Sequence, residues 1–170
     1  MKRSLLFLSL SVVLLFGCKK DDDNGSTTTD NKTTLINNWQ AQTVTAVNVT
    51  TAIPSLTLYT KGGSSNLIDF SKFYVNFKSD GSYEQSDNDG TVSTGIWSLG
   101  TDDKTITMTT SGGTTVTYVA DPISSTSTTF KYTINTTNPT TIDTQIIAAA
   151  AALGVTVSSG AYLTFVAVPE

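Results

Sequence analysis

Acidic side chains are the main candidates for chemistry in this chain, because its 170 residues include no histidine. The lack of imidazole excludes serine–histidine and cysteine–histidine catalysis, histidine proton shuttles and imidazole-based zinc sites. A pair of carboxylates could still act as general acid and general base, and Asp102 and Asp103 are adjacent. They fall in an expected turn, where solvated acids are common, and Glu84 is expected to face solvent. We therefore predict no catalytic residue and no enzymatic activity.

A second acidic segment, Asp87-Asn88-Asp89-Gly90, has the composition of a calcium-binding loop. The spacing of an EF-hand would place Gln85 at the first ligand position and Ile96 at the position of the bidentate acid. Neither side chain suits its position. A calcium site with a less regular arrangement of oxygen ligands is the alternative that this spacing leaves. Glycine-rich phosphate-binding loops are also missing from the sequence. We predict no metal site and no cofactor.

Aromatic side chains are the remaining candidates for a binding site. In a closed barrel of eight strands, inward-facing rings can line a cavity for one small apolar ligand or simply fill the core. Trp39, which precedes the first expected strand, would be a structural plug near the barrel opening. The candidates for lining a cavity are Phe77, Tyr83, Trp97, Phe130, Tyr132 and Phe165.

The N-terminal segment has the plan of a secretory signal peptide. Residues 1–3 carry Lys2 and Arg3, and residues 4–16 are apolar apart from serines. This apolar run is shorter than the roughly 20 residues that span a bilayer. Cys18, two residues after the run, is the one cysteine of the chain, so an internal disulfide is excluded. We expect residues 1–17 to be removed.

The residues around Cys18 resemble two signals of bacterial lipoproteins. Leu15-Phe16-Gly17-Cys18 resembles a lipobox, which implies cleavage before Cys18 and attachment of lipid to its thiol. The following Lys19-Lys20-Asp21-Asp22-Asp23 resembles the lipoprotein export signal of Bacteroidetes. This second resemblance implies a protein anchored in the outer membrane and exposed at the cell surface. A periplasm-facing anchor is the alternative.

Charge and composition restrict the partners of the mature chain. Loss of Lys2 and Arg3 lowers the formal net charge from −4 by two, to −6, so no basic face is available for nucleic acid. Residues 18–34 carry the lipid and are otherwise a polar tether and flexible linker. The expected partners are therefore the membrane, through the anchor, and a small apolar ligand or a protein bound by the domain over residues 35–170.

Strand-like segments recur about every ten residues in that domain. The chain has 32 threonines and 19 serines, which suit half-wet strands and turns. Eight or nine such strands joined by tight turns predict a sandwich or an up-and-down antiparallel barrel, and the barrel is favoured because it leaves no edge unpaired. The expected strands cover residues 40–49, 53–60, 73–77, 83–85, 91–99, 105–109, 114–120, 128–136 and 161–168.

One helix interrupts the series near residues 140–153. Thr140 can cap its start, Asp143 places an acid in its first turn, and five alanines from Ala148 favour its interior. Gly154 is suited to end it. We expect this helix to cap one end of the barrel or, more specifically, to cover a ligand cavity. Asp121-Pro122 is expected to end the strand before it.

Four segments resemble the lipocalin-like domains of Bacteroidetes lipoproteins. They are Leu35-Ile36-Asn37-Asn38-Trp39, the hairpin Phe77-Lys78-Ser79-Asp80-Gly81-Ser82-Tyr83, the strand Gly95-Ile96-Trp97-Ser98-Leu99, and Ile106-Thr107-Met108 of the strand after it. The resemblance covers about residues 35–120 and implies a calycin-type barrel, in a family whose members mostly lack a demonstrated function. Together these observations predict a surface-tethered, non-enzymatic module that binds a small apolar ligand or a partner. The alternative is a structural or adhesive surface protein without a ligand cavity.

Overall fold

A computed structural model describes residues 30–170, which form nine antiparallel strands and two helices. The helices are α1 (Asn31–Leu35) and α2 (Thr141–Ala152). The strands are β1 (Asn38–Val47), β2 (Ser55–Thr60), β3 (Tyr74–Phe77), β4 (Ser82–Ser86), β5 (Val92–Leu99), β6 (Thr105–Thr110), β7 (Thr115–Ile123), β8 (Thr128–Thr133) and β9 (Tyr162–Pro169).

Eight of the strands close into an up-and-down barrel. From β3 to β9, each strand pairs with the next one in sequence, and β9 pairs back with β1 from Trp39–Pro169 to Val47–Tyr162. The ring is completed by β3, which pairs with the start of β1 from Asn38 to Gln40. The predicted all-β, lipocalin-like barrel of eight or nine strands with one helix near residues 140–153 is confirmed.

The ninth strand, β2, lies on the same side of β1 as β3 but farther along it. It pairs with β1 from Thr43 to Val47, with a shift in register between Val44 and Thr45. The segment between β2 and β3 places Phe70 and Phe73 in the core, where Phe73 stacks on Phe165 of β9 at a centroid distance of 4.8 Å. Aromatic side chains thus cover the region where β1 stops pairing with β3 and begins to pair with β2.

Trp39 fills the end of the barrel that carries α1, which we call the α1 end. Its indole is fully buried, donates from Nε1 to the Leu35 carbonyl over 2.9 Å and meets the Phe130 ring edge-on at 6.1 Å. Satisfying the one polar atom of the ring makes its burial favourable. The opposite end, across which α2 lies, is the α2 end.

Helix α1 occupies residues that the sequence analysis assigned to the linker before residue 35. The Asp30 side chain accepts hydrogen bonds from Lys32 N over 3.0 Å and from the Thr33 hydroxyl over 2.8 Å, which caps the helix. Leu35 at its end is fully buried. The cap at Asp30 and the buried side chain of Leu35 are therefore sufficient to fold this otherwise polar segment into one helical turn. The expected removal of residues 1–17 and the lipid site Cys18 lie outside the described residues.

One predicted boundary is wrong: β7 continues through Asp121 and Pro122 to Ile123. Its pairing with β8 shifts register between Ala120 and Ile123. A proline lacks the N–H that a regular ladder requires, but it fits in such a bulge. None of the helices within residues 30–170 has the length and apolar character needed to cross a bilayer.

The predicted signals of α2 are confirmed by its termini. Thr140 and Asp143 form a capping box, in which each side chain accepts the backbone N–H of the other residue. Gly154 follows the helix with a φ of 73°, the left-handed conformation that favours glycine.

Candidate functional site: a cavity at the α2 end of the barrel

A cavity of about 230 Å3 lies inside the barrel at its α2 end. The inward faces of β4 to β8 and the first turn of α2 surround it. Its lining combines phenol rings, hydroxyls and a few apolar side chains with one amide and one carboxylate. The lining residues are Tyr83, Gln85, Asp87, Ser93, Met108, Thr110, Thr114, Val116, Tyr118, Tyr132, Thr140, Thr141 and Ile142.

The position of the cavity follows from the sizes of the inward side chains. Toward the α1 end, large rings meet in the barrel interior, as where Phe77 contacts Trp97 at a centroid distance of 4.8 Å. The space left among these rings is about 10 Å3, which is too small to bind a ligand. Toward the α2 end, the inward positions of β5 and β6 carry Ser93 and Thr110, which are much shorter. The barrel is therefore filled at one end and hollow at the other.

Asp87 supplies the carboxylate of the cavity and is half-buried. The amide of Gln85 donates from Nε2 to Asp87 Oδ1 over 2.9 Å. Burial raises the pKa of Asp87 above its ordinary value, the Gln85 bond offsets part of this rise, and the nearby charge of Asp89 adds to it. The charged form of Asp87 is thus less favourable here than in water.

Two tyrosines of neighbouring strands line the same cavity. The rings of Tyr118 and Tyr132 lie 5.6 Å apart between centroids, at an angle of 40°. Burial raises the pKa of both phenols, that of Tyr132 to about 12. Both hydroxyls therefore stay protonated at neutral pH.

A second carboxylate, Asp143 of α2, is fully buried beside the cavity. It accepts from the Tyr132 hydroxyl over 2.9 Å, from Thr140 N over 2.9 Å and from the Thr140 hydroxyl over 2.8 Å. It also accepts from Asn135 N over 3.2 Å. Four donors satisfy this carboxylate within the fold, so its role is to hold α2 on the barrel.

A second polar contact ties α2 to the turn that carries Asp87. Asn88 donates from Nδ2 to Gln145 Oε1 over 2.5 Å. On the same helix, Ile146 and Ala150 are buried in the core. Helix α2 is thus anchored at two polar points and along one apolar stripe, with its first turn forming the roof of the cavity.

The six aromatic residues predicted as lining are all buried, but they lie in different places. Tyr83 and Tyr132 line the cavity. Phe77, Trp97 and Phe130 fill the α1 end of the barrel, where the Phe77 and Phe130 rings are 6.1 Å apart. The sixth residue, Phe165, packs against the segment between β2 and β3.

The three acidic positions considered in the sequence analysis, the Asp102-Asp103 turn, Glu84 and the Asp87–Gly90 turn, lie in different parts of the barrel. Asp102 caps a turn at the α1 end, where the hydroxyl and then the N–H of Thr105 lower its pKa to about 2. Glu84, on the outer face of β4, accepts from the Tyr74 hydroxyl over 2.5 Å. Among residues 30–170, no three Asp, Glu or Cys side chains are placed to share a metal ion.

Of the thirteen lining residues, Tyr83 and Tyr132 were predicted as lining and eleven were missed, among them Gln85, Asp87 and Tyr118. For Gln85 and Tyr118 a signal existed in the sequence. Strand alternation places Gln85 on the same face as Tyr83, and Tyr118 on the same face as Val116, so each belongs to the inward set. Asp87 follows the end of β4, where alternation no longer specifies a direction.

No protein-family model matches the sequence, and no curated protein is significantly similar to it.

Proposed function

We propose that this protein is a lipid-anchored, non-enzymatic binding module whose barrel holds one small molecule. The observation that supports the proposal is the cavity of about 230 Å3 at the α2 end, which combines Tyr83, Tyr118 and Tyr132 with the polar groups of Gln85 and Asp87. A concave site with convergent polar groups on an apolar wall is the usual form of a small-molecule site. The absence of histidine from the sequence supports binding rather than catalysis.

The size of the cavity restricts the ligand. Sites for drug-sized ligands measure about 300–1,000 Å3, and this cavity is smaller, at about 230 Å3. The ligand is therefore a small molecule with an apolar body that contacts Met108, Val116 and Ile142. A polar group on it would meet Gln85 or Asp87.

We propose further that the lipid is carried by Cys18 and that the domain faces the exterior of the outer membrane. The support is the apolar segment before Cys18 and the lysines and acids after it. Replacement of Cys18 by Ser should move the protein from the membrane fraction to the soluble fraction. Protease added to intact cells should degrade the wild-type domain; protection until the outer membrane is opened would instead place it on the periplasmic side.

Ligand binding is tested on the chain from residue 18 to residue 170 with Cys18 replaced by Ser. Native mass spectrometry of this protein from its producing organism should show a bound small molecule. The variant Ser93→Phe places a ring in the cavity and should abolish this binding, whereas Ser98→Phe adds the same ring on the exposed face of β5 and should not. Repeated recovery of ligand-free wild-type protein, with no small molecule bound from a fragment library, would contradict the proposal.

An adhesive or purely structural role is the second candidate. The observation in its favour is two exposed apolar side chains on the outer face of β5, Val92 at 54% and Ile96 at 67% exposure. Two side chains form only a small apolar surface compared with the patches of several hundred Å2 that mark interaction sites. Ile96→Ser should therefore leave any cell-surface association unchanged.

A further inference from the structure

The cavity contains a negative charge and no positive one to balance it. Asp87 is the carboxylate of its lining, and no lysine or arginine is among the described residues that line it. Lys72 lies at the same turn, but it donates from Nζ to the backbone carbonyl of Asp89 over 3.3 Å rather than to Asp87. A half-buried carboxylate without a cation favours a ligand that supplies one.

The hydrogen bonding of Asp87 contrasts with that of the neighbouring Asp143. Asp143 is satisfied by four donors from the protein. For Asp87, the side-chain donor within residues 30–170 is the amide of Gln85, which reaches Oδ1. One oxygen of Asp87 is thus available to a ligand, at a place where burial makes its negative charge unfavourable.

The tyrosine rings of the cavity are a second feature that attracts cations. Tyr83, Tyr118 and Tyr132 line the same cavity, and the face of a phenol ring carries partial negative charge. The barrel uses this interaction elsewhere, since Lys131 Nζ lies 3.8 Å from the centroid of the Tyr162 ring on its outer surface. A cavity that holds both a carboxylate and aromatic rings is a suitable environment for an ammonium group.

We propose that the cavity binds a small organic cation, a primary amine on an apolar body, with the ammonium at Asp87 and the body against the tyrosines and Met108. The inference rests on the proposed binding function and names the class of ligand. A neutral ligand would leave the charge of Asp87 unbalanced, and an anion would be repelled by it. An ammonium satisfies the carboxylate with hydrogen bonds and opposite charge together.

The test uses three probes that share one apolar body and differ in charge: 2-phenylethylamine, 2-phenylethanol and 3-phenylpropionate. Affinity is measured by calorimetry and ligand-observed NMR at neutral pH, on the Cys18→Ser chain from residue 18. The amine should bind at least tenfold more tightly than the alcohol, and the carboxylate should not bind. Asp87→Asn should weaken the amine at least tenfold and leave the alcohol unchanged. Asp103→Asn, an exposed acid at the α1 end, is the matched control and should change neither.

The possible outcomes separate this inference from the proposed function. If alcohol and amine bind equally, or if Asp87→Asn does not weaken the amine, the cationic ligand is wrong while the binding cavity stands. Binding of a neutral sugar such as methyl glucoside, in place of the amine, would also overturn the cationic ligand alone. If Ser93→Phe fails to reduce binding of any probe, the cavity itself is not the binding site.

Discussion

Tyr132 on the wall of the barrel donates its hydroxyl hydrogen to Asp143 Oδ2 of α2 over 2.9 Å, in a buried contact. The same carboxylate belongs to the capping box of α2. One side chain therefore both begins the helix and fixes it to the barrel. This arrangement joins the local signal for a helix to the long-range packing that places it over the cavity.

Replacement of Asp143 by Asn is expected to destabilise the protein by about 2–3 kcal/mol, because an amide cannot accept from four donors and its NH2 group faces some of them. Tyr132→Phe removes one of the four bonds and should cost about 1 kcal/mol. Urea unfolding of both single variants and of the double variant measures their coupling. Additive costs would show that Tyr132 and Asp143 do not stabilise one another.

Asp87→Asn is expected to increase stability at neutral pH and to have no effect in acid. Burial raises the pKa of Asp87 in the folded state above its unfolded value of 3.8. Below that value the carboxyl is neutral in both states. As the pH rises, the unfolded chain loses its proton first, so the wild type loses stability until the folded carboxyl has also ionised. Unfolding free energies of both proteins from about pH 3 to about pH 7 should therefore diverge.

A wild type that matches or exceeds Asp87→Asn in stability at neutral pH would contradict this expectation. It would mean that protein donors balance the charge and that no ligand is required to do so. The exposed control Asp103→Asn, measured in parallel, accounts for the general effect of removing one negative charge from an acidic chain.

Gly95→Ala should destabilise the barrel by about 2 kcal/mol or more. A Cβ atom at Gly95 would lie 2.0 Å from the Thr109 carbonyl oxygen of the paired strand β6, so the two strands would have to separate. Gly112→Ala is the control, since a Cβ atom there would have the Thr110 hydroxyl as its nearest neighbour, at 3.8 Å. Thermal unfolding that is equal for the two variants would show that β5 and β6 can move apart without cost.

Local chemistry explains why much of the fold could be predicted. The hairpin between β3 and β4 needs only its own residues: Gly81 has a φ of 83°, and Asp80 Oδ1 accepts from Ser82 N over 2.8 Å. The cap of α2 at Thr140 is equally local. Such features depend on neighbours in the chain, so the types of a few residues and the spacing between them suffice to identify them.

The cavity could not be predicted in the same way, because it depends on which strands meet. Phe165 and Tyr132 both occupy inward positions of their strands. Phe165 of β9, however, packs against Phe73 in the segment before β3, whereas Tyr132 of β8 lines the cavity at the α2 end. The bulge at Pro122 is similar. Its proline indicates a break, yet pairing with β8 resumes at Ile123. In each case a contact between residues distant in sequence decides the outcome.

Thr128→Val should stabilise the protein by about 1 kcal/mol. Thr128 is fully buried at the start of β8, and its hydroxyl has no hydrogen-bond partner among the described residues. A hydroxyl that leaves water without a partner costs about 1–3 kcal/mol, and valine keeps the same branched shape without that cost. Thr129→Val changes the same atoms at the next position, which is only partly buried, and should have little effect. Urea unfolding of both variants tests this prediction. A loss of stability on replacing Thr128 would contradict it and would show that the Thr128 hydroxyl is hydrogen-bonded, for instance to a buried water.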